Sequence, residues 1–212
     1  DDEELKQKVS AKKPYREWVK KNLVRFEELP KVKVAPQKLN HDLALLQKIF
    51  GYSREDLKIL IKPMVEEAKE PTGSMGDDTP LAVLSKKPRL LFDYFKQLFA
   101  QVTNPAIDPI REELVMTLNT YLGKELNLLD ETPRHCKRLK IENPILTDED
   151  LHNLRRLKEF RHKDISIVFR VKEGKSAFKK ALKRICKEAE GAIRKGYDFI
   201  ILTDKAVNKD YM

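Results

Sequence analysis

Cysteine is nearly missing from this 212-residue chain: Cys136 and Cys186 stand far apart, with no CxxC. That argues against a disulfide framework and fits a reducing, cytoplasmic setting. No apolar run approaches the roughly 18 residues of a membrane span. The opening "DDEELKQKVS" is acidic and polar, without the basic and apolar regions of a secretory leader. No methionine precedes it, so the stretch reads as starting inside a longer polypeptide. What is present is a mixture of 41% hydrophobic and 36% charged residues, the balance of a globular chain with a heavily solvated surface. The length allows one or two domains with a real core.

A formal net charge of +9 raises the question of a nucleic-acid partner. The distribution argues against one. Lysines alternate with glutamates in "KKALKRICKEAEGAIRKG", the pattern of a solvated helix with i,i+4 pairs. The aromatic strand of an RNA-recognition module and zinc-finger spacing are both missing. A stand-alone basic module for RNA or an acidic protein therefore remains only the alternative reading.

The N-terminal third reads as helical or irregular. "KPYREWVKKNL" spaces Tyr15, Trp18 and Val19 as a helix does. "HDLALLQKIFG" is a short amphipathic helix, with Asn40 as its expected N-cap and Gly51 as its stop. In "SREDLKILIKPMVEEAKE", Ser53 and Asp56 approximate a capping box, and Pro63 predicts a kink or break. "PTGSMGDDTPLAVLS" then gives a loop of about a dozen residues, a length more often functional than idle. "RLLFDYFKQLFAQ" is apolar nearly all round, which predicts a helix over Arg89–Gln101 buried in the core or an interface. Asp108 and Pro109 suit the start of another helix, "REELVMTLNTYLG", ended by Gly123.

From Lys124 the texture shifts to extended pieces and turns. "TDEDLHNLRRL" restarts a helix, with Thr147 as N-cap and Asp150 at the third helical position. "DISIVFRV" and "YDFIILTD" read as strands buried on both faces, joined by the amphipathic helix "KSAFKKALKRICKEAEGAIRKG". The expected fold class is α/β: a helical N-terminal part plus a partial, truncated parallel βαβ sheet flanked by helices, either rudimentary and barrel-like or doubly wound. Two strands make a poor sheet. Their neighbours come either from earlier extended segments or from residues beyond this stretch, and the second is favoured.

Each chemical motif has a plain structural alternative. "EGKS" sits where a phosphate-binding loop belongs, but Phe169 stands where that motif needs a glycine. The alternative is a turn with Ser176 as N-cap. Gly73-Ser74 lacks the rest of a nucleophile elbow. His41, His135, His152 and His162 form no set with metal-ligand spacing. Asp77-Asp78 suits a hard cation or, better, the cap of a turn. Asp204 follows the second strand, at the end where α/β sheets hold ligands, or simply begins a turn. No nucleophile–base pair or complete cofactor fingerprint emerges.

Four segments carry a more specific signal: "KKPYREW", "GSMGDDTPLAVLSKKPRLLFDYFKQLFAQVTNPAIDPIREELVMTLNTYLG", "IENPILT" and "GYDFIILTD". Together they resemble the central domain of glutamate synthase of the large-subunit type, over nearly the whole of residues 1–212. The resemblance implies that residues 1–30 are a linker from an upstream class II glutamine amidotransferase domain. It implies an FMN-binding (β/α)₈ barrel with an iron–sulfur cluster downstream, then a β-helix domain. The parent reaction so implied hydrolyses glutamine, passes ammonia through an internal tunnel and adds it reductively to 2-oxoglutarate at the flavin. Electrons come from ferredoxin or a nicotinamide-linked small subunit. This stretch has neither the catalytic N-terminal cysteine nor the barrel. By the same resemblance it is a non-catalytic connector that lacks its last strands, and Ser74 and Met75 approach FMN and the tunnel exit of the parent enzyme. A thioether packs well on an aromatic face, and flanking glycines let the backbone come close.

Overall fold

The computed structural model describes residues 1–35, 42–69, 71, 80–87, 89–97, 99 and 108–212. Along the chain, the first elements are α1 (Asp2–Ser10), α2 (Tyr15–Asn22), β1 (Val24–Arg25), α3 (Leu43–Ile49) and α4 (Lys62–Glu67). The later ones are α5 (Glu112–Val115), β2 (Thr120–Leu122), β3 (Leu139–Ile141), α6 (Asp148–Arg155), β4 (His162–Ser166), α7 (Gly174–Arg194) and β5 (Phe199–Thr203). They fall into two compact units, one of Asp1–Gln37 with Glu112–Tyr211, the other of Lys38–Arg111 with Met212.

The first unit holds two small sheets. In one, β3 lies between β1, which it pairs in parallel, and β2, which it pairs antiparallel. In the other, β4 and β5 are parallel, in register from His162–Phe199 to Ser166–Thr203. The helix α7 connects them, so the expected βαβ unit is present and the fold is α/β. Among the described residues, earlier extended segments do not join β4 and β5; they make the separate sheet around β3. The N-terminal third, expected to be helical or irregular, also supplies the short strand β1.

The core of this unit is Phe26, Leu139, Ile141, Leu154 and Phe160, ringed by Val24, Leu122, Leu151 and Phe199. Leu139 and Ile141 alternate with half-buried Lys140, the period of a strand with one dry face. Ile165 on β4 is fully buried, and α7 buries Ala177, Ala181 and Ala192. Small side chains on that face let the helix lie close to its neighbours. The second strand is less dry than its apolar sequence predicts: Leu202 is exposed, because this sheet has two strands and one of its faces lacks full cover.

Local capping fixes the helix starts. Thr147 Oγ1 accepts from the Asp150 N–H at 3.1 Å, and the Asp150 carboxylate accepts from the Thr147 N–H at 3.2 Å, the expected capping box. At α7 the expectation fails. Glu173 occupies the N-cap, and the Ser176 hydroxyl donates to the Glu173 carbonyl at 3.0 Å. Gly174, at φ 61°, makes the turn into the helix, which places Ser176 one turn inside it.

In the second unit, Asp42 caps α3 by accepting from the Ala44 N–H at 3.0 Å; Asn40 lies outside the described residues. Gly51 ends that helix at φ 75°, and an added Cβ would meet Leu90 Cδ1 at 2.5 Å. Ser53 and Asp56 form their reciprocal pair, at 2.8 Å and 3.1 Å. The break or kink expected at Pro63 does not end the helix: a π-helical stretch over Asp56–Ile61 runs into α4, which contains Pro63. A proline donates no N–H to the preceding turn, so wider i→i+5 pairing accommodates it.

Two helix expectations are corrected. Within Arg89–Gln101 the described residues make only a 3₁₀ turn at Leu91–Tyr94, and the side chains are not buried: Phe92 is 81% exposed and Phe95 78%. A segment apolar on all sides needs cover on all sides, and its own unit does not supply it. "REELVMTLNTYLG" is helical only over α5 and then turns into β2, whose Thr120, Tyr121 and Leu122 pair with β3. Pairing with a strand overrides the helical spacing there.

Candidate functional site

Ser74 and Met75, the residues singled out as flavin-proximal, lie outside the described residues, as do Gly73, Asp77, Asp78 and His41. What is described is the ground on which that loop stands. Its helix ends at Ala68, in left-handed conformation at φ 51°, and the chain reaches Pro71. On the far side it resumes at Pro80 and passes through a 3₁₀ turn, Ala82–Leu84. Ala82 is buried, while Leu81, Val83 and Leu84 face outward.

Beside this turn is an open depression of about 820 Å³, lined by Ser53, Asp56, Ala82, Arg89, Asp93 and Lys96 among others. Its charges are balanced locally. Arg89 Nε lies 3.3 Å from Asp93 Oδ2. Hydrogen bonds from Ser53 hold the Asp56 carboxyl below its ordinary range, helped by the positive charge of Lys96 and Arg89. Three acidic side chains, Glu55, Asp56 and Asp93, and three basic ones, Lys48, Arg89 and Lys96, line it. Among the described residues, no group of three His, Cys, Asp or Glu side chains is placed to hold a metal ion.

The carboxyl ends of β4 and β5, where an α/β sheet usually offers a ligand site, are tied off by the protein itself. Arg184 Nη2 donates to the carbonyls of Ser166 at 2.8 Å and Val168 at 3.3 Å, while Nη1 pairs with Glu188 at 3.0 Å. Asp204 begins a turn, its carbonyl accepting from the Val207 N–H at 2.8 Å. His135 is structural as well. Its Nδ1 accepts from the Thr132 N–H at 3.2 Å, which leaves Nε2–H to donate to the Asn127 carbonyl at 3.0 Å. Cys136 is half-buried and Cys186 exposed, and both are free thiols.

Sequence reasoning missed the polar side chains that fasten loops to the core. Asn153, almost fully buried on α6, accepts from the Val32 N–H at 2.9 Å and donates to the Val32 carbonyl at 3.4 Å. It thereby holds the extended segment after Leu29 against the helix. Buried asparagine on the inward side of an amphipathic helix is the signal that marks it.

Comparison with known proteins identifies the family. The family model of the glutamate synthase central domain matches residues 45–212. The chain is 40% identical over 204 residues to ferredoxin-dependent glutamate synthase 1, chloroplastic/mitochondrial, of Arabidopsis thaliana, covering 96% of this chain and 12% of that protein. It is 39% identical over 227 residues to the NADH glutamate synthase of Schizosaccharomyces pombe, covering 99% of this chain and 11% of the relative. Against the NADPH glutamate synthase large chain of Bacillus subtilis the identity is 40% over 210 residues, covering 98% and 13%. The chain thus spans only a small part of these relatives, and it belongs to the glutamate synthase central domain family.

Proposed function

We propose that this chain is the connecting domain of a glutamate synthase, standing between a glutamine amidotransferase domain and an FMN-binding synthase barrel of the same polypeptide. Residues 1–30 lead in from the amidotransferase and are partly folded onto the domain through α2 and β1. The sheet of β4 and β5 continues in residues beyond 212. The loop around Ser74 and Met75 reaches the flavin site of the barrel and borders the exit of an ammonia tunnel. The parent reaction converts glutamine, 2-oxoglutarate and reducing equivalents to two glutamates. The relatives' names point to ferredoxin or a nicotinamide nucleotide as reductant. The proposed compartment is the cytoplasm; no described helix is long and apolar enough to cross a membrane.

The observation that carries this reading is the uncovered apolar surface around the root of that loop. Val83, Leu84, Leu91, Phe92, Phe95 and Phe99 are each more than half exposed. Contiguous exposure of large apolar side chains marks an interaction surface, and a neighbouring domain is the nearest candidate to cover it. The cofactors fit a neighbour better than this chain. An iron–sulfur cluster takes several thiolates, whereas the two cysteines here lie on separate elements, one half-buried and one exposed. The connector's role is then to wall in ammonia and position one loop, without chemistry of its own.

Met75→Ala in the full-length enzyme tests this directly. Glutamine hydrolysed per glutamate formed should rise severalfold, and the flavin absorption spectrum should shift. An unchanged ratio with an unchanged spectrum removes Met75 from the tunnel exit and the flavin. Residues 1–212 alone should turn over no glutamine, and turnover would end the connector reading.

A further inference from the structure

The loop between β2 and β3 carries two adjacent leucines at its tip, and they are among the most exposed large apolar residues described: Leu128 at 88% and Leu129 at 92%. Isolated exposed leucines are ordinary. These two sit on a turn that is braced at every level. Within it, the Asp130 N–H donates to the Asn127 carbonyl at 3.0 Å, the Leu129 N–H to Asn127 Oδ1 at 3.2 Å, and Asn127 Nδ2 to Asp130 Oδ2 at 3.0 Å. From below, His135 Nε2–H holds the Asn127 carbonyl. On one flank Arg138 donates to the carbonyls of Lys124 at 3.0 Å and Tyr121 at 3.3 Å and pairs with Glu125. On the other, Glu131 is gripped by Lys13, through its carbonyl at 3.0 Å, and by the Tyr15 hydroxyl, through its carboxylate at 2.7 Å.

A loose tip would fold its leucines back onto the protein. This one is held out by polar contacts from His135 and Arg138, farther along the same loop, and from Lys13 and Tyr15 of the N-terminal segment, so the tip is braced before any partner arrives. A preformed apolar projection loses little conformational freedom on docking. The clamps at Glu131 come from Lys13 and Tyr15, immediately after α1, so the tip stands beside the place where the N-terminal segment enters the unit. A domain joined ahead of residue 1 would be tethered to this neighbourhood by the nine residues of α1, about 14 Å long at 1.5 Å per residue, which raises its effective concentration at the tip.

We propose that Leu128 and Leu129 form a docking knob received by an apolar socket on the folded domain that precedes this one in the polypeptide. The inference rests on the reading above that such a domain is present. The clamps then act as positioning residues: they set the distance and angle between the two domains, while the leucines supply the apolar contact.

The test uses the full-length enzyme with a photoreactive benzoylphenylalanine in place of Leu129. Irradiation should give crosslinks mapping to one patch of the upstream domain. Leu128→Ser/Leu129→Ser in the same enzyme should speed hydrogen exchange in that patch about tenfold, with the amides of β3 unchanged. Crosslinks to a second copy, to a downstream domain, or to solvent-quenched products alone would overturn the knob, as would exchange indifferent to the double substitution. Glutamate formation from glutamine is measured on the same preparations. An active enzyme with the wrong crosslinks defeats the knob and leaves the connector standing; a polypeptide without an upstream domain defeats both.

Discussion

The two units differ in whether they build a core. The first gathers five large side chains into a contiguous core, with Leu139 and Phe160 at 1% exposure or less. In the second, Ala82 is the one buried apolar residue among those described, while phenylalanines and leucines of the 81–99 segment lie open. Composition does not separate the units; the availability of partners does. A strand such as β3 finds neighbours on both edges within its own unit. A short 3₁₀ turn carrying Leu91, Phe92 and Tyr94 does not. Both units expose large apolar side chains; the first also has a packed interior of its own, which the described part of the second lacks.

Three substitutions sharpen that contrast. Phe160→Ala removes a fully buried ring and should cost about 3–5 kcal/mol, read as a large drop in the urea midpoint of residues 1–212. A loss under about 1 kcal/mol would mean that the first unit lacks a well-packed core. Next in size is Thr147→Ala, about 1 kcal/mol for the loss of a helix cap. Its signature is pH dependence. The Thr147 hydroxyl, with a smaller contribution from Lys31, holds the Asp150 carboxyl below its ordinary value. A depressed carboxyl stabilises the fold above the ordinary carboxylate pKa, and that contribution is lost as pH falls through the lower, folded-state value. Acid titration of stability should accordingly be steeper in the parent chain than in the variant; identical slopes would show that the cap does not set this charge. The smallest effect belongs to Phe92→Ser, within about 0.5 kcal/mol in residues 1–212, whereas in the full-length enzyme it should weaken the covering interface. A marked loss of stability in residues 1–212 would show that the ring already has cover within the chain and would erase the contrast between the units.

Local rules were read well from the sequence. The Thr147–Asp150 and Ser53–Asp56 boxes, the stop at Gly51 and the βαβ order of β4, α7 and β5 all follow from spacing and side-chain chemistry within a few positions. Apart from the cap of α7, which Gly174 shifts locally, and Pro63, which α4 contains, the misses share one cause: the deciding partner is distant. Thr120–Leu122 has helical spacing, but β3 captures it as a strand. Arg89–Gln101 has the composition of a buried helix, yet burial depends on a surface that its unit lacks. Asn153, Arg138 and Arg184 are unremarkable in sequence because the carbonyls they secure lie elsewhere in the chain. For Ser74 and Met75 the family resemblance alone speaks; no pattern of spacing identifies them.

The division of the chain at residues 37 and 112 has a consequence for synthesis. Val24 pairs with Leu139, so the first unit cannot close its sheet until the whole of the second has been made. On the ribosome, Val24 and Phe26 wait without their strand while a segment rich in uncovered phenylalanine emerges after them. Pairing across so long a span is slow, and for that interval the nascent chain offers two sticky surfaces at once. A holding chaperone has its natural moment there.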